Sequence, residues 1–264
     1  MNAIDNTPKL LAIDAGNTRV KWGLFNTSGK MIESGATANA ELQSIQLPRA
    51  TRVIISNVAG NIIATQLKAL IANTSNIIWL SAQASACGVR NQYQTPTLLG
   101  TDRWAALIAV WQIKKSPCIV VNAGTAVTID ALTVDTSNNQ GLFLGGLILP
   151  GLDLMQTSLG AATAQLPTIN HDNGSAKSIK FFATNTAEAI QSGALNAVLG
   201  TIARMATALQ EHCVGTPTIV ISGGNAQLIA EQLQQTSTLP VSLIENLVLQ
   251  GLYQLDHFME NELS

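Results

Sequence analysis

Two short blocks of the chain share one order of apolar and polar positions. In the first, residues 10–13 (LLAI) form an unbroken apolar run of strand length. Asp14 ends that run and Ala15-Gly16 turns the chain. Val20, Trp22 and Leu24 then recur at every second position, as on one face of a second strand. Residues 31–37 continue the meander with a third strand. The second block, residues 118–132 (CIVVNAGTAVTIDAL), repeats the order: apolar strand, polar residue (Asn122), Ala-Gly, hydroxyl residue (Thr125), strand. Asp14-Ala-Gly-Asn-Thr aligns with Asn122-Ala-Gly-Thr-Ala, which predicts a duplicated fold with a ligand clamped between its halves.

Between the blocks, residues 51–56 predict a strand, 61–72 a helix and 77–80 a strand, a mixed α/β pattern. Residues 100–115 (GTDRWAALIAVWQIKK) predict a helix with Thr101 placed to cap it, Asp102 in its first turn and Lys114-Lys115 at its far end. All three suit the helix dipole. Residues 104–111 are apolar on almost every side, which predicts burial between layers or halves. The pattern breaks at residues 114–117 and divides the chain into 1–115 and 116–264. Farther on, residues 142–151 predict a strand, a Gly pair, an apolar run and a Pro-Gly turn. The Gly pair serves close approach either to a ligand or to a neighbouring helix. Asn185-Thr186 opens another helix, and residues 218–225 (TIVISGGN) predict a strand ending in a glycine turn before a helix, where an α/β half presents backbone to a nucleotide.

Composition narrows the function classes. Of 264 residues, 47% are apolar and only 11% charged, against about 25% charged in ordinary domains. A thinly charged surface favours an oligomer that hides part of it. The net charge of −2 offers no attraction to nucleic acid or to an anionic membrane. The start lacks the apolar core of a secretory leader, and residues 141–152 are short for a membrane span, so a soluble cytoplasmic protein is expected. Cys87, Cys118 and Cys213 are odd in number and outside CxxC spacing, pointing to neither disulfides nor zinc, with Cys118 a small core residue. His171, His212 and His257 are scattered and read as surface or loop residues.

The candidate chemistry lies at the turns. Asp14, Asn17, Thr18, Arg19 and Lys21 group a carboxylate, an amide, a hydroxyl and two cations around Gly16, whose freedom permits a sharp bend close to a ligand. Such a group suits phosphate and its metal ion; it equally suits an ordinary hairpin turn. Asp102 is either a charge that complements its helix or a general base, with Arg103 beside it for an anionic substrate. Thr186 either caps its helix or faces a substrate. Tyr93 either anchors a loop or lines a cleft. Neither GxxxxGK[ST] nor GxGxxG is present, so a nucleotide would be held without a P-loop or a dinucleotide fingerprint.

Taken together, these stretches resemble the type III pantothenate kinases of the acetate kinase, sugar kinase, Hsp70 and actin superfamily. The matching pieces are Asp14-Ala-Gly-Asn-Thr-Arg-Val-Lys21, Gly100-Thr-Asp-Arg103, Asn122-Ala-Gly-Thr-Ala-Val-Thr-Ile-Asp130, Gly145-Gly-Leu-Ile-Leu-Pro-Gly151, Asn185-Thr186 and Ser222-Gly-Gly224. They stand in the family's order and span nearly the whole chain. The resemblance implies an α/β fold of two duplicated ribonuclease-H-like (actin-like ATPase) halves with a nucleotide cleft between them, usually in a homodimer. It further implies transfer of the ATP γ-phosphoryl group to the hydroxyl of pantothenate, the first step towards coenzyme A.

By the same resemblance Asp14, Ala15, Gly16, Asn17, Thr18, Arg19, Val20, Lys21 and Thr125 would bind ATP, with Asp14 holding Mg²⁺, directly or through water. Asp102 would be the catalytic base. Tyr93, Gly100, Thr101, Asp102, Arg103 and Thr186 would bind pantothenate. The family usually carries Asp where this chain has Asn122, at a site for a monovalent cation, K⁺ or NH₄⁺. The lost charge predicts weak or altered K⁺ dependence. Two rival readings are a non-catalytic relative that senses a ligand or binds a partner, and another phosphotransferase of the superfamily.

Overall fold

Residues 10–13 are apolar on both faces of their strand, and they lie at the centre of a sheet. The computed structural model describes residues 7–72, 74, 76–162 and 180–262. The chain divides into two units, Met1–Lys114 with Asn246–Ser264, and Lys115–Glu245. In the first, β1 (Pro8–Ala15) pairs antiparallel with β2 (Arg19–Asn26), and β2 with β3 (Met31–Ala38). On its other edge β1 pairs in parallel with β4 (Arg52–Asn57), and α1 (Asn61–Leu70) leads on to β5 (Ile77–Trp79). The order is β3-β2-β1-β4-β5. Leu11 and Ile13 join Ile55, Ile63 and Leu67 in one core, while Leu10 and Ala12, on the opposite face, are buried too. The sequence pattern did not show β6 (Ser85–Ala86) and β7 (Val89–Asn91), a hairpin. Its two turn residues, Cys87 and Gly88, have φ of 50° and 75°, as a tight two-residue turn requires. Then comes α2 (Thr101–Lys114).

The second unit contains β8 (Cys118–Ala123), β9 (Ala126–Asp135), β10 (Gln140–Pro150), α3 (Leu152–Ala162), α4 (Thr186–Gln210), β11 (Thr218–Ser222), α5 (Ala226–Thr236) and β12 (Val241–Leu243). Here β8 pairs antiparallel with β9 and β9 with β10, whereas β8, β11 and β12 run parallel. The first unit's topology is thereby repeated. The repeat extends to single positions: Asp14 lies opposite Ser56 and Lys21 in the first sheet, and Asn122 opposite Ser222 and Thr128 in the second. The Gly pair in β10 differs from expectation. Gly145 has φ of 139° at a break in the β9–β10 register and nothing crowds it, so there it makes a bulge.

Sequence spacing assigned all of 116–264 to the second half; in the structure residues 246–264 belong with the first unit. The reason is α6 (Leu247–Glu262), which packs on α2 so closely that a Cβ at Gly251 would strike the backbone of Ala105. Arg52 donates to Asp256 Oδ1 from Nε (3.0 Å) and Nη2 (2.7 Å) and pairs with Glu260, which also meets Lys9 Nζ at 2.8 Å. Tyr253 stacks on Phe25 with ring centroids 5.0 Å apart. His212 and His257 are exposed and Cys118 is buried; His171 lies outside the described residues. Among the described residues no helix is long and apolar enough to cross a membrane.

Candidate active site

Asp14 shares a face of the first sheet with its cross-strand partners Lys21 and Ser56. The Ser56 side chain is buried, and its Oγ lies 2.8 Å from Oγ1 of Thr101, the first residue of α2. One hydroxyl pair therefore joins the helix mouth to the strand next to Asp14. Thr101 does not cap the helix as the sequence suggested; its hydroxyl is engaged with Ser56. Asp102, one residue on, stands close enough to Asp14 to act on it. Burial pushes the Asp14 carboxyl up to about 7, the Asp102 charge adds to that, and Lys21 offsets part of it. The Asp102 carboxyl is also raised by burial, against an N–H bond of 2.8 Å and the charge from Arg103. A Cβ at residue 100 would lie 2.7 Å from Asp102 Oδ1, so Gly100 leaves that carboxylate its room. Asp14 and Asp102, both half-buried, offer hard carboxylate oxygens of the kind that suits a divalent cation.

Arg103 is buried and tethered. Its Nη1 donates to Tyr93 Oη at 2.7 Å, and its guanidinium carbon lies 5.6 Å from the ring centroid. Asn91 holds Tyr93 in turn. Its Oδ1 accepts the Tyr93 N–H at 3.0 Å, while Nδ2 donates to the carbonyls of Gln83 (3.2 Å) and Pro96 (3.4 Å). A cation fixed this way beside a carboxylate can bind a substrate anion without losing rotamer freedom on binding.

In the turn itself, Gly16 N–H donates to the Arg19 carbonyl at 3.1 Å, and Asn17, Thr18 and Arg19 are exposed. Gly16 lies outside the left-handed region, and a Cβ there would meet only Arg19 O, at 3.4 Å. The bend does not by itself demand glycine, contrary to the reading from sequence.

In the second unit, Gly151 N–H donates to Thr125 O (2.9 Å) and Asn225 N–H to Ala123 O (3.1 Å). At Gly223 φ is 104° and a Cβ would come within 2.5 Å of Ala123 O, so the Ser-Gly-Gly turn and the Asn122–Thr125 turn meet where only glycine fits. Thr128 Oγ1, on the strand position opposite Asn122, is buried without a hydrogen-bond partner. That orphaned neutral oxygen beside the Asn122 amide fits a weakly held monovalent cation. Thr186 is exposed at the first position of α4, and the cap is Asn185, whose Oδ1 accepts Glu188 N–H at 2.9 Å. Thr186 borders a groove of about 510 Å³ lined by Pro150, Met155, Leu159 and Ile190.

The first unit thus brings together Asp14, Lys21, Tyr93 and Gly100–Arg103; Asn122, Thr125 and Thr186 belong to the second. Sequence reasoning passed over Ser56, Asn91 and Thr128. The signal for Ser56 was a polar residue closing the apolar run VII of β4, in the same relation to Asp14 as Ser222 to Asn122.

Two ribonuclease-H-like units, each with its own polar turn after the central strand, define the fold that actin-like ATPases and sugar kinases share. Solved structures agree at the level of fold. A conserved Campylobacter jejuni protein assigned to the Baf family of transcriptional activators superposes with a TM-score of 0.59 at 21% identity, covering 95% of this chain and 99% of that one. A Listeria monocytogenes protein assigned as an N-acetylmannosamine kinase gives 0.53 at 12% identity, with coverage of 96% and 99%. Residues 10–208 match the model of the family described as type III pantothenate kinase. A type III pantothenate kinase of Nitrosospira multiformis is 43% identical over 252 residues, 93% of this chain and 90% of its own. The chain belongs to the type III pantothenate kinase family. As a kinase of this fold it uses ATP with a divalent metal ion.

Proposed function

We propose that this protein transfers the γ-phosphoryl group of ATP to the primary hydroxyl of pantothenate, giving 4'-phosphopantothenate and ADP, as the first step of coenzyme A biosynthesis in the cytoplasm. The observation that carries the reading is Asp102 at the mouth of α2, in electrostatic reach of Asp14 and beside a tethered Arg103. Asp102 accepts the hydroxyl proton as that oxygen forms its bond to the γ-phosphorus and the bond to the ADP oxygen breaks. Arg103 with Tyr93, Gly100, Thr101 and Thr186 hold pantothenate, the guanidinium facing its carboxylate. Residues 14–21 and Thr125 hold the nucleotide phosphates, with Lys21 drawing off negative charge. Mg²⁺, bound with ATP and held by Asp14, supplies further charge neutralisation at the phosphates. Catalysis of this kind rests on alignment and charge more than on covalent help.

Purified protein with ATP, Mg²⁺ and a panel of pantothenate, acetate and sugars decides the matter in a coupled ADP-release assay. Release with pantothenate alone is the expected result. Release with another acceptor instead makes it a different phosphotransferase, and release with none makes it a non-catalytic relative. Run with and without K⁺, the assay also tests Asn122. Activation by K⁺ is slight in this protein and grows in Asn122→Asp, which restores the missing charge. Strong activation of the unmodified protein overturns that assignment. A homodimer is the proposed assembly, supported by Leu147, Ile148, Leu154 and Leu159, which are 42–64% exposed on β10 and α3.

A further inference from the structure

One residue outside the turn of residues 14–21 holds three of its carbonyls. Asn39 follows β3, at the start of a short 3-10 segment (Asn39–Ser44). Its Nδ2 donates to the carbonyl oxygens of Gly16 (3.0 Å) and Asn17 (2.9 Å), and its backbone N–H donates to that of Thr18 (3.0 Å). The amide orientation follows from chemistry, because exchanging its oxygen and nitrogen would set Oδ1 against two carbonyl oxygens. Oδ1 is itself buried with no hydrogen-bond partner, an unfavourable arrangement that persists because the two Nδ2 bonds outweigh it.

The consequence follows from the planar trans peptide. No cis bond is present among the described residues, so each N–H points opposite the carbonyl before it. Drawing the carbonyls of residues 16, 17 and 18 towards Asn39 turns the N–H groups of Asn17, Thr18 and Arg19 the other way. Three successive N–H groups facing one side make a concavity for anionic oxygens.

We propose that Asn39 is a positioning residue for nucleotide binding: it clamps the turn from behind so that the N–H groups of residues 17–19 face the phosphates of ATP. The inference rests on the reading that residues 14–21 hold ATP. Asn39 touches no substrate in this account; it acts through the backbone it holds.

Asn39→Asp tests it, since an oxygen of the same size then faces two carbonyl oxygens and the turn must swing away. The KM for ATP rises about tenfold, the scale of one polar pair left unmade. The KM for pantothenate and kcat stay within about twofold of the unmodified protein. A variant that melts earlier yet keeps the original KM for ATP overturns the proposal, because a merely structural contact behaves that way. If Asn39→Asp does not fold, Asn39→Ala, which loses the side-chain donors without adding repulsion, carries the same measurement. Lys21→Ala, assayed alongside, separates the two possible failures. If Lys21→Ala weakens ATP and Asn39→Asp does not, the clamp is wrong and the turn still binds nucleotide. If neither does, the nucleotide assignment of the turn falls and the clamp with it.

Discussion

Asp102→Asn lowers kcat roughly 10²–10³-fold while both KM values stay within a few-fold. The substitution keeps size and the acceptor for the Arg103 N–H at 2.8 Å, so the mouth of α2 holds its shape. What goes is the ability to take a proton from the attacking hydroxyl. A loose phosphoryl-transfer transition state develops little charge on that hydroxyl early, which holds the effect to the lower part of the range for general bases. A second readout comes with it. The Asp102 charge is one of the causes that raise the Asp14 carboxyl to about 7. Its removal lets Asp14 ionise at lower pH, so the acid limb of the profile of kcat/KM for ATP moves to lower pH. Steady-state rates against both substrates, from about pH 5.5 to 8.5, check both effects. Full kcat in Asp102→Asn would falsify the base assignment.

Gly251→Ala destabilises the protein by about 3 kcal/mol, at the upper end for overpacking. The added methyl strikes the backbone of Ala105, including its carbonyl oxygen. Neither backbone can yield as a side-chain tip can, so α2 and α6 must part. Parting them disturbs Trp104, Leu107, Leu252 and Leu255, which are fully buried. The melting temperature falls roughly 6–12 °C for a chain of this size, measurable by calorimetry. Because α2 carries Asp102 and Arg103, activity at moderate temperature falls as well. A melting temperature within a degree of the original would show that the two helices do not meet backbone to backbone.

Local chemistry explains what was legible in the chain. The apolar run of residues 10–13, the alternation at 20, 22 and 24, and the all-round apolar middle of α2 each report their own burial, because strand and helix periods depend on neighbours in sequence. The paired Asp14 and Asn122 turns showed the duplication, which the matching strand registers repeat position by position. Asp102 and Arg103 stood out as a charged pair opening an apolar helix. Other features left at most the polar close of an apolar run, as at Ser56. Ser56 and Asn39 are ordinary polar residues until folding puts a threonine hydroxyl against one and two loop carbonyls against the other.

By itself, the sequence determined the class of fold, the repeated strand–turn–strand unit and the family. Tertiary structure alone decided that the last helix returns to the first unit, which residues brace the turn of residues 14–21, and that the Asp102 charge raises the cost of ionising Asp14. The physical reason is separation along the chain. Arg52 meets Asp256 across 204 positions, and Asn39 reaches Gly16 across 23. Contacts at such distances come from long-range packing, which no periodicity of neighbouring residues encodes.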